Sequence, residues 1–457
     1  MTETASAASR SRHAGVRRGY LAWGAILSVS GIGVMAITAS STYEDVHYDD
    51  FGSAMTALAG VIGGGLLLLG LGPLTLSLLG LLGWWAGRLP LLLRLAARDV
   101  AGDPVRTAPA VAATVIATAL AVALMIIEPA LAAQRRAEYY PEARPDALVV
   151  DGFPADKAAA VRAAVQRELP GIPIAQRDRQ LDFAHLNIEF VESSSLDPYG
   201  WLPPQIGDQA LLRYLTGDPS TPYAENTAVV VTTENVKADS VVIYYDLSDK
   251  EDSLSTRTVP AITVRPVGPY VDGIFVPAKI VRDLGFHLGP EQLIIDPSFH
   301  RSSAIEQERL DRRLADSAST YLERGFVAPT GWLRFVVVAA LVALGGALAA
   351  SGLAGGDSRS RRVLVRVRGS GAAMRLVVAC RAWLSAAGGM VLGGAAGCAI
   401  GLLLVWPFTT SSSWEPYERA AFDTPWWPIA ALVGGLPVLA AAIAALPPPG
   451  PRQRSRT

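Results

Sequence analysis

Two stretches of the chain gather side chains able to do chemistry, and both are rich in arginine. Residues 91–109 carry Arg94, Arg98 and Arg106, and residues 357–375 carry Arg359, Arg361, Arg362, Arg366, Arg368 and Arg375. The simplest work for such guanidinium groups beside apolar sequence is electrostatic: anchoring on the cytoplasmic side and contact with anionic lipid headgroups. Arg94 and Arg98 are four residues apart, hence on one helical face. Leucines and alanines take the other face, so this stretch is expected to lie along the inner membrane surface as an amphipathic helix. In the second stretch a charged helical run is broken by Gly369 and Gly371 before helix resumes.

Other reactive side chains form no recognisable constellation. His47, His185, His287 and His300 have no metal-ligand spacing such as H-E-x-x-H, and the serines at 193–195 lack the G-x-S-x-G elbow. The acidic group Glu44, Asp45, Asp49 and Asp50 around His47 reads as a solvated loop rather than a cation site. No G-x-x-x-x-G-K-[ST] sequence occurs, so the chain shows no P-loop. The reading is therefore not an enzyme, with no metal and no cofactor of its own.

The elements that position the arginines are membrane spans. The chain has 457 residues, 51% of them hydrophobic and 18% charged, where a soluble chain is about a quarter charged. Its mean hydropathy is +0.31. Lysine is confined to Lys157, Lys237, Lys250 and Lys279, a bias expected of a GC-rich bacterial genome, and the net charge of −1 does not point to nucleic acid. Apolar blocks at 21–40, 54–84, 108–133, 331–354, 383–406 and 425–446 are each long enough to cross a bilayer, which takes about 20 residues. The block at 54–84 contains Gly63, Gly64, Gly65 and Pro73, and reads as one tilted or kinked helix or as a pair. The first apolar block lacks a convincing small-residue cleavage site and is expected to be a retained span rather than a signal peptide.

Loop charge sets the expected orientation. The tail 1–20, the segments 85–107 and 355–382, and the tail 448–457 are basic. The intervening loop 41–53 has no basic residue and 407–424 has only Arg419. That alternation predicts six spans with both termini cytoplasmic. Trp84, Trp85, Trp332, Trp406, Trp426 and Trp427 fall near span ends, where aromatic side chains favour the headgroup region. Glu128, beside Pro129, is expected at the outer interface of the third span. Cys380 and Cys398 would lie about 27 Å apart on one helix, beyond disulfide reach.

Residues 134–330 are polar and long enough for one domain, expected outside the cell and held by its own core without disulfides. Residues 147–150, 227–233 and 240–245 read as strands. Residues 155–169 and 303–322 have helical spacing, and 197–204 is an irregular loop. The fold class is thus an α-helical polytopic membrane protein, with about six transmembrane helices and one α+β extracellular domain. Its parts are a basic tail (1–20), two spans (21–87), an amphipathic segment and third span (88–133), the outer domain (134–330), three further spans with a basic cytoplasmic segment at 355–382, which the resemblance below makes a coupling loop (331–447), and a tail (448–457).

The order of these parts carries a family likeness. Leu95, Ala96, Arg98 and Asp99, followed by Arg106, Thr107 and Ala108, resemble the L-A-x-R-[ND] … R-T-A segment before the first core helix of FtsX/MacB-type ABC transporter permeases. Arg361, Arg362, Leu364, Gly369, Ser370 and Arg375 resemble that family's cytoplasmic stretch between core helices two and three, and residues 437–447 its closing helix. The likeness covers about residues 88–450. The two spans at 21–84 depart from the four-helix basic unit, so the chain looks like the C-terminal half of a duplicated FtsX-like permease with its linking helices. The resemblance implies a permease subunit in which a separate ATPase, holding ATP and Mg, drives movements of the outer domain by mechanotransmission, to export or extract a lipid, lipoprotein or peptide. It places Arg94, Arg98, Arg106, Arg361, Arg362 and Arg368 at the ATPase-facing surface, with Gly369 as the turn before the fifth span. It implies a second permease copy or paralogue, and membrane lipids, as further partners. A regulator of a cell-wall hydrolase is the nearest alternative, and a non-transporting receptor or anchor that has lost ATPase coupling is another.

Overall fold

The computed structural model describes residues 2–43, 50–88, 90–102, 104–139, 141–182, 185–189, 204–233, 235–246, 255–267, 273–354, 371–410 and 419–446. In chain order, helices α1 (Thr2–Ser41), α2 (Asp50–Trp85), α3 (Leu91–Gly102) and α4 (Pro104–Ala137) come first. Strand β1 (Leu148–Asp151), helix α5 (Ala158–Glu168), strands β2 (Ile174–Gln180), β3 (His185–Glu189) and β4 (Gln205–Gly207), and helix α6 (Gln209–Thr216) follow. Then come β5 (Ala228–Val231), β6 (Ser240–Asp246), β7 (Ser255–Val264), β8 (Gly273–Pro277), α7 (Ala278–Asp283), β9 (Leu288–Ile295), α8 (Ala304–Leu314) and β10 (Ser319–Leu322). Helices α9 (Trp332–Ala354), α10 (Gly371–Phe408) and α11 (Trp426–Ala445) close the chain. Two compact units result, a helical one (1–138 and 328–457) and a sheet one (139–327).

Among the described residues six helices of the first unit are long and apolar enough to span a membrane, at Gly19–Ser41, Phe51–Thr75, Thr107–Ala137, Trp332–Gly352, Arg375–Phe408 and Trp426–Ala445. The chain is a multi-pass helical membrane protein with a separate sheet domain. The block at 54–84 is one continuous helix with Pro73 inside it. The segment expected as a loop at 355–382 is helical from Gly371 onward, so Arg375 and Arg381 belong to α10. Past the glycine break, Ala372, Ala373, Met374 and Leu376 are strong helix formers. Both thiols, Cys380 and Cys398, are on α10 and are free.

Apolar side chains gain little by leaving lipid for one another, so spans associate through small residues that let backbones meet. The centre of this bundle is built that way. On α10, Gly389, Gly393, Gly397 and Gly401 recur every fourth residue along one face, against α4. A Cβ on Gly397 would sit 2.5 Å from the Ala119 carbonyl oxygen and 2.8 Å from Val122 Cβ. One on Gly401 would sit 2.8 Å from Ile126 Cβ, and one on Gly389 would lie 3.0 Å from Thr114 Cγ2. The buried Thr114 also faces α9, where its hydroxyl is 3.2 Å from the Ala343 carbonyl oxygen, and it lies 3.1 Å from the Ala110 carbonyl of its own helix. Gly346 leaves the room for it, since a Cβ there would be 2.7 Å from Thr114 Oγ1.

The α1–α2 pair repeats the device in antiparallel register. Gly24 meets Gly70, and Gly31 meets Gly63, one heptad further along α1 and one heptad back along α2. A Cβ on Gly24 would be 2.9 Å from both the Gly70 carbonyl oxygen and Pro73 Cβ. This hairpin packs on α10 where Gly60 and Gly64 face Leu404 and Ile400.

The sheet unit obeys water-based rules instead. Its ten strands run in the order β10-β1-β9-β2-β4-β8-β5-β7-β6-β3. Pairs β4–β8 and β5–β7 are parallel and the others antiparallel. Central strands are buried on both faces, which explains their unbroken apolar runs. Leu148 and Val150 of β1 face Val161, Val165 and Leu310 of α5 and α8. Val149 between them joins Leu211, Leu212 and Leu215 of α6 on the opposite side. The expected strands at 147–150, 227–233 and 240–245 are β1, β5 and β6, and the helix at 155–169 is a 3-10 turn followed by α5. The helix expected over 303–322 stops at Leu314: Ala315 takes a φ of 45°, and Ser319–Leu322 forms edge strand β10 on β1. Thr320 and Tyr321 favour strand, and pairing with β1 satisfies their backbone. The loop at 197–204 lies, but for Pro204, outside the described residues.

Helix α8 opens with a capping box, in which Ser303 Oγ accepts the Glu306 N–H and Glu306 accepts the Ser303 N–H at 2.7 Å. The Ser303 backbone bond, then the Ser303 hydroxyl and the nearby His300, hold the Glu306 carboxyl below the usual range, and its burial partly opposes this. A carboxyl with a lowered folded pKa stabilises fully above its unfolded value, about 4.3, and loses that contribution as pH falls through the folded one.

Two predictions follow from packing and capping. Gly346→Ala destabilises the solubilised full chain by about 1–3 kcal/mol, whereas Gly345→Ala, with nothing within 4 Å, is neutral or stabilising in the same thermal unfolding assay. Glu306→Ala costs about 1 kcal/mol at pH 7, and its stability gap to the unaltered protein narrows as the pH is lowered below about 4.3.

Candidate functional site

Of the arginines that the resemblance places at an ATPase-facing surface, Arg94 and Arg98 are the ones whose side chains are described. Both stand on α3, Arg94 half-buried and Arg98 exposed. Helix α3 begins with the Arg94 N–H on the Pro90 carbonyl at 2.8 Å. Its small face, Ala96, Ala97 and Val100, is fully buried. Ala96 and Ala97, with Leu93, pack on Cys380 and Leu384 of α10. The amphipathic helix is thus present, but its alanine face meets protein. Small side chains suit such close helix contact. Arg106 lies in the first turn of α4, with its side chain outside the described residues, as are Arg361, Arg362, Arg368 and Gly369 altogether. The structure therefore brings α3 to the first half of α10, directly after the second arginine stretch in the chain.

The histidines do not converge. His287 Nδ1 is 3.1 Å from Asp182, and His300 Nε2 is 3.2 Å from Glu306. His185 stands on β3, while His47, Glu44, Asp45, Asp49 and the serines at 193–195 lie outside the described residues. Among the described residues no group of three His, Cys, Asp or Glu side chains is placed to hold a metal. Glu128 is half-buried on α4, within the span that continues to Ala137.

Sequence reading missed a polar clasp where the chain enters and leaves the sheet unit. Glu323 is 1% exposed. One carboxylate oxygen accepts the Tyr139 hydroxyl and the Gly325 N–H, and the other accepts the Tyr321 hydroxyl at 3.0 Å. The Tyr139 ring meets Phe326 edge-on at 5.9 Å. Backbone bonds seal the same place, Asp146 N–H to the Glu323 carbonyl at 2.7 Å and Glu323 N–H to that of Ala147 at 3.0 Å. Asp146 turns there with φ 66° and Gly325 with φ 73°. A buried carboxylate is tolerable because three donors replace its water. Isolated polar residues in a loop give no periodic signal, so spacing alone could not have found this cluster. The glycine ladder of α10 was legible as G-x-x-x-G repeated three times.

Burial first, and then the bond to Glu323, raise the Tyr139 phenol above its ordinary value. A neutral phenol with a raised folded pKa stabilises fully below the unfolded value, about 10, and loses that contribution as pH rises toward the folded one.

Compared with known proteins, the chain matches no protein-family model and no curated protein sequence.

Glu323→Gln is expected to cost about 1–3 kcal/mol, because a carboxamide leaves at least one buried donor unmet. Tyr139→Phe removes part of the alkaline loss of stability above about pH 10, read as the difference in denaturation midpoint between neutral and alkaline buffer.

Proposed function

We propose that the chain is the permease subunit of an ABC transporter of the FtsX/MacB type, coupling ATP hydrolysis on a separate ATPase to movements of its sheet domain. One observation carries the reading. The arginine helix α3 leads into α4 and is packed through Ala96 and Ala97 on Cys380 and Leu384 of α10. A push on α3 would thus reach the most tightly packed helix pair of the bundle. The chain order supports the same reading: α3 and one span (α4), a large sheet domain, then three spans (α9, α10 and α11).

In this proposal both termini and α3 face the cytoplasm of a bacterial cell, and residues 134–330 face outward. Arg94, Arg98 and Arg106, with Arg361, Arg362 and Arg368, meet the ATPase, and Gly369 supplies the turn before α10. ATP and Mg belong to the ATPase. A second permease copy or paralogue completes the assembly within the lipid, and the cargo is a lipid, lipoprotein or peptide. The coupling remains mechanical, since ATP-bound and ATP-free ATPase would make different contacts with the arginine helix.

The test is affinity purification of the tagged full chain from its native membrane, with identification of co-eluting ATPases. An ABC-type ATPase is expected to co-elute, with binding weakened at least tenfold in the Arg94→Ala/Arg98→Ala variant. ATPase binding and turnover unchanged in that variant, and in Arg361→Ala/Arg362→Ala, would sink the assigned surface.

A further inference from the structure

Arg419 is the lone basic residue of the segment 407–424, and its surroundings explain why it is there. Three helices of the bundle, α1, α4 and α10, finish at the same place, and each leaves carbonyl oxygens without a helical partner. Arg419 serves two of these ends. Its Nη2 donates to the Thr42 carbonyl at 2.8 Å and the Trp406 carbonyl at 3.3 Å, and its Nη1 to the Tyr43 carbonyl at 3.4 Å. The guanidinium also lies 4.8 Å over the Trp406 ring, which in turn packs on Tyr43 at 4.7 Å. The next residue serves the third end: the Ala420 N–H donates to Gln134 Oε1 at 2.9 Å, and Gln134 Nε2 donates to Glu138 at 2.8 Å. A cation at converging helix C-termini also meets the negative ends of their dipoles.

We propose that Arg419 is the keystone of a releasable latch that fixes the last turn of α4 to the ends of α1 and α10. The inference stands on these contacts alone and does not depend on the transporter reading. The arrangement holds because a planar fork can reach several carbonyls while stacked on a ring, which an ammonium group cannot do. It is releasable because its bonds go to neutral carbonyls, two of them at the long end of the hydrogen-bond range. Among the described residues no carboxylate pairs with Arg419. The segment it controls is the last turn of α4, residues 134–138, from which the chain passes directly to Tyr139. Closing the latch fixes that turn against two neighbouring helices, and opening it removes that tie.

Hydrogen exchange read by mass spectrometry on the full chain in lipid nanodiscs tests this. Arg419→Ala is expected to speed exchange at least tenfold in residues 134–138 and near residues 39–43, with no change in the α4 segment 115–126 against the glycine ladder. Arg419→Lys should fall between. Gln134→Ala breaks only the α4 arm and should speed exchange at 134–138 alone. Unchanged exchange at 134–138 in Arg419→Ala would overturn the latch. Faster exchange throughout α4 in that variant would make Arg419 a general stabiliser and overturn it equally.

Discussion

Inside a bilayer, two helices gain little from touching through large apolar side chains, because the lipid offers the same contacts. What holds this bundle is backbone proximity, and α10 achieves it by presenting four glycines in one row to α4. Dispersion contacts and close carbonyl approach are the attractive terms left in such a solvent. The remaining helices are placed by reference to that pair. Helix α9 is fitted by Gly346 against Thr114, α1 and α2 arrive as a glycine-seamed hairpin on the far end of α10, and α3 meets α10 through alanines. Helices α4 and α10 are accordingly the most buried spans, and α9 and α11 the least.

The sheet unit shows the opposite economy. Here removal of apolar surface from water drives assembly, and the central strands carry Val, Ile and Leu on both faces to meet helices on either side. Two charged groups enter that interior with partners. Glu323 does so with three donors, and Arg144 does so between Asp296 and the Tyr214 carbonyl, at 3.5 and 3.0 Å.

Spans were legible because length and apolarity suffice to identify them, and each expected block coincides with a helix within a few residues at most ends. Strands β1, β5 and β6 were legible from β-branched runs. The end of α8 was not, since the charged helical spacing of 304–314 runs smoothly into residues whose fate is set by pairing with β1. Arg94 and Arg98 were correctly read as one face of a helix, yet the same pattern could not say whether lipid or protein covers the opposite face. Alanines at 96 and 97 decide it only once α10 is in place. Arg419 shows a similar limit. Its sign was counted as an exception in a loop poor in basic residues, whereas its position reflects three helix ends that converge from distant parts of the sequence.

The clasp at Tyr139, Glu323 and Phe326 has a bearing on ancestry. Because the first and last residues of the sheet unit touch, the unit occupies the chain as a detour whose two ends nearly coincide. A bundle can acquire or discard such a detour without re-spacing the helices on either side, since a short turn would close the same gap. The membrane and aqueous parts are then free to diverge at separate rates, one constrained by glycine spacing and the other by its own core. Exchanging the detour would re-equip the same bundle for a different task.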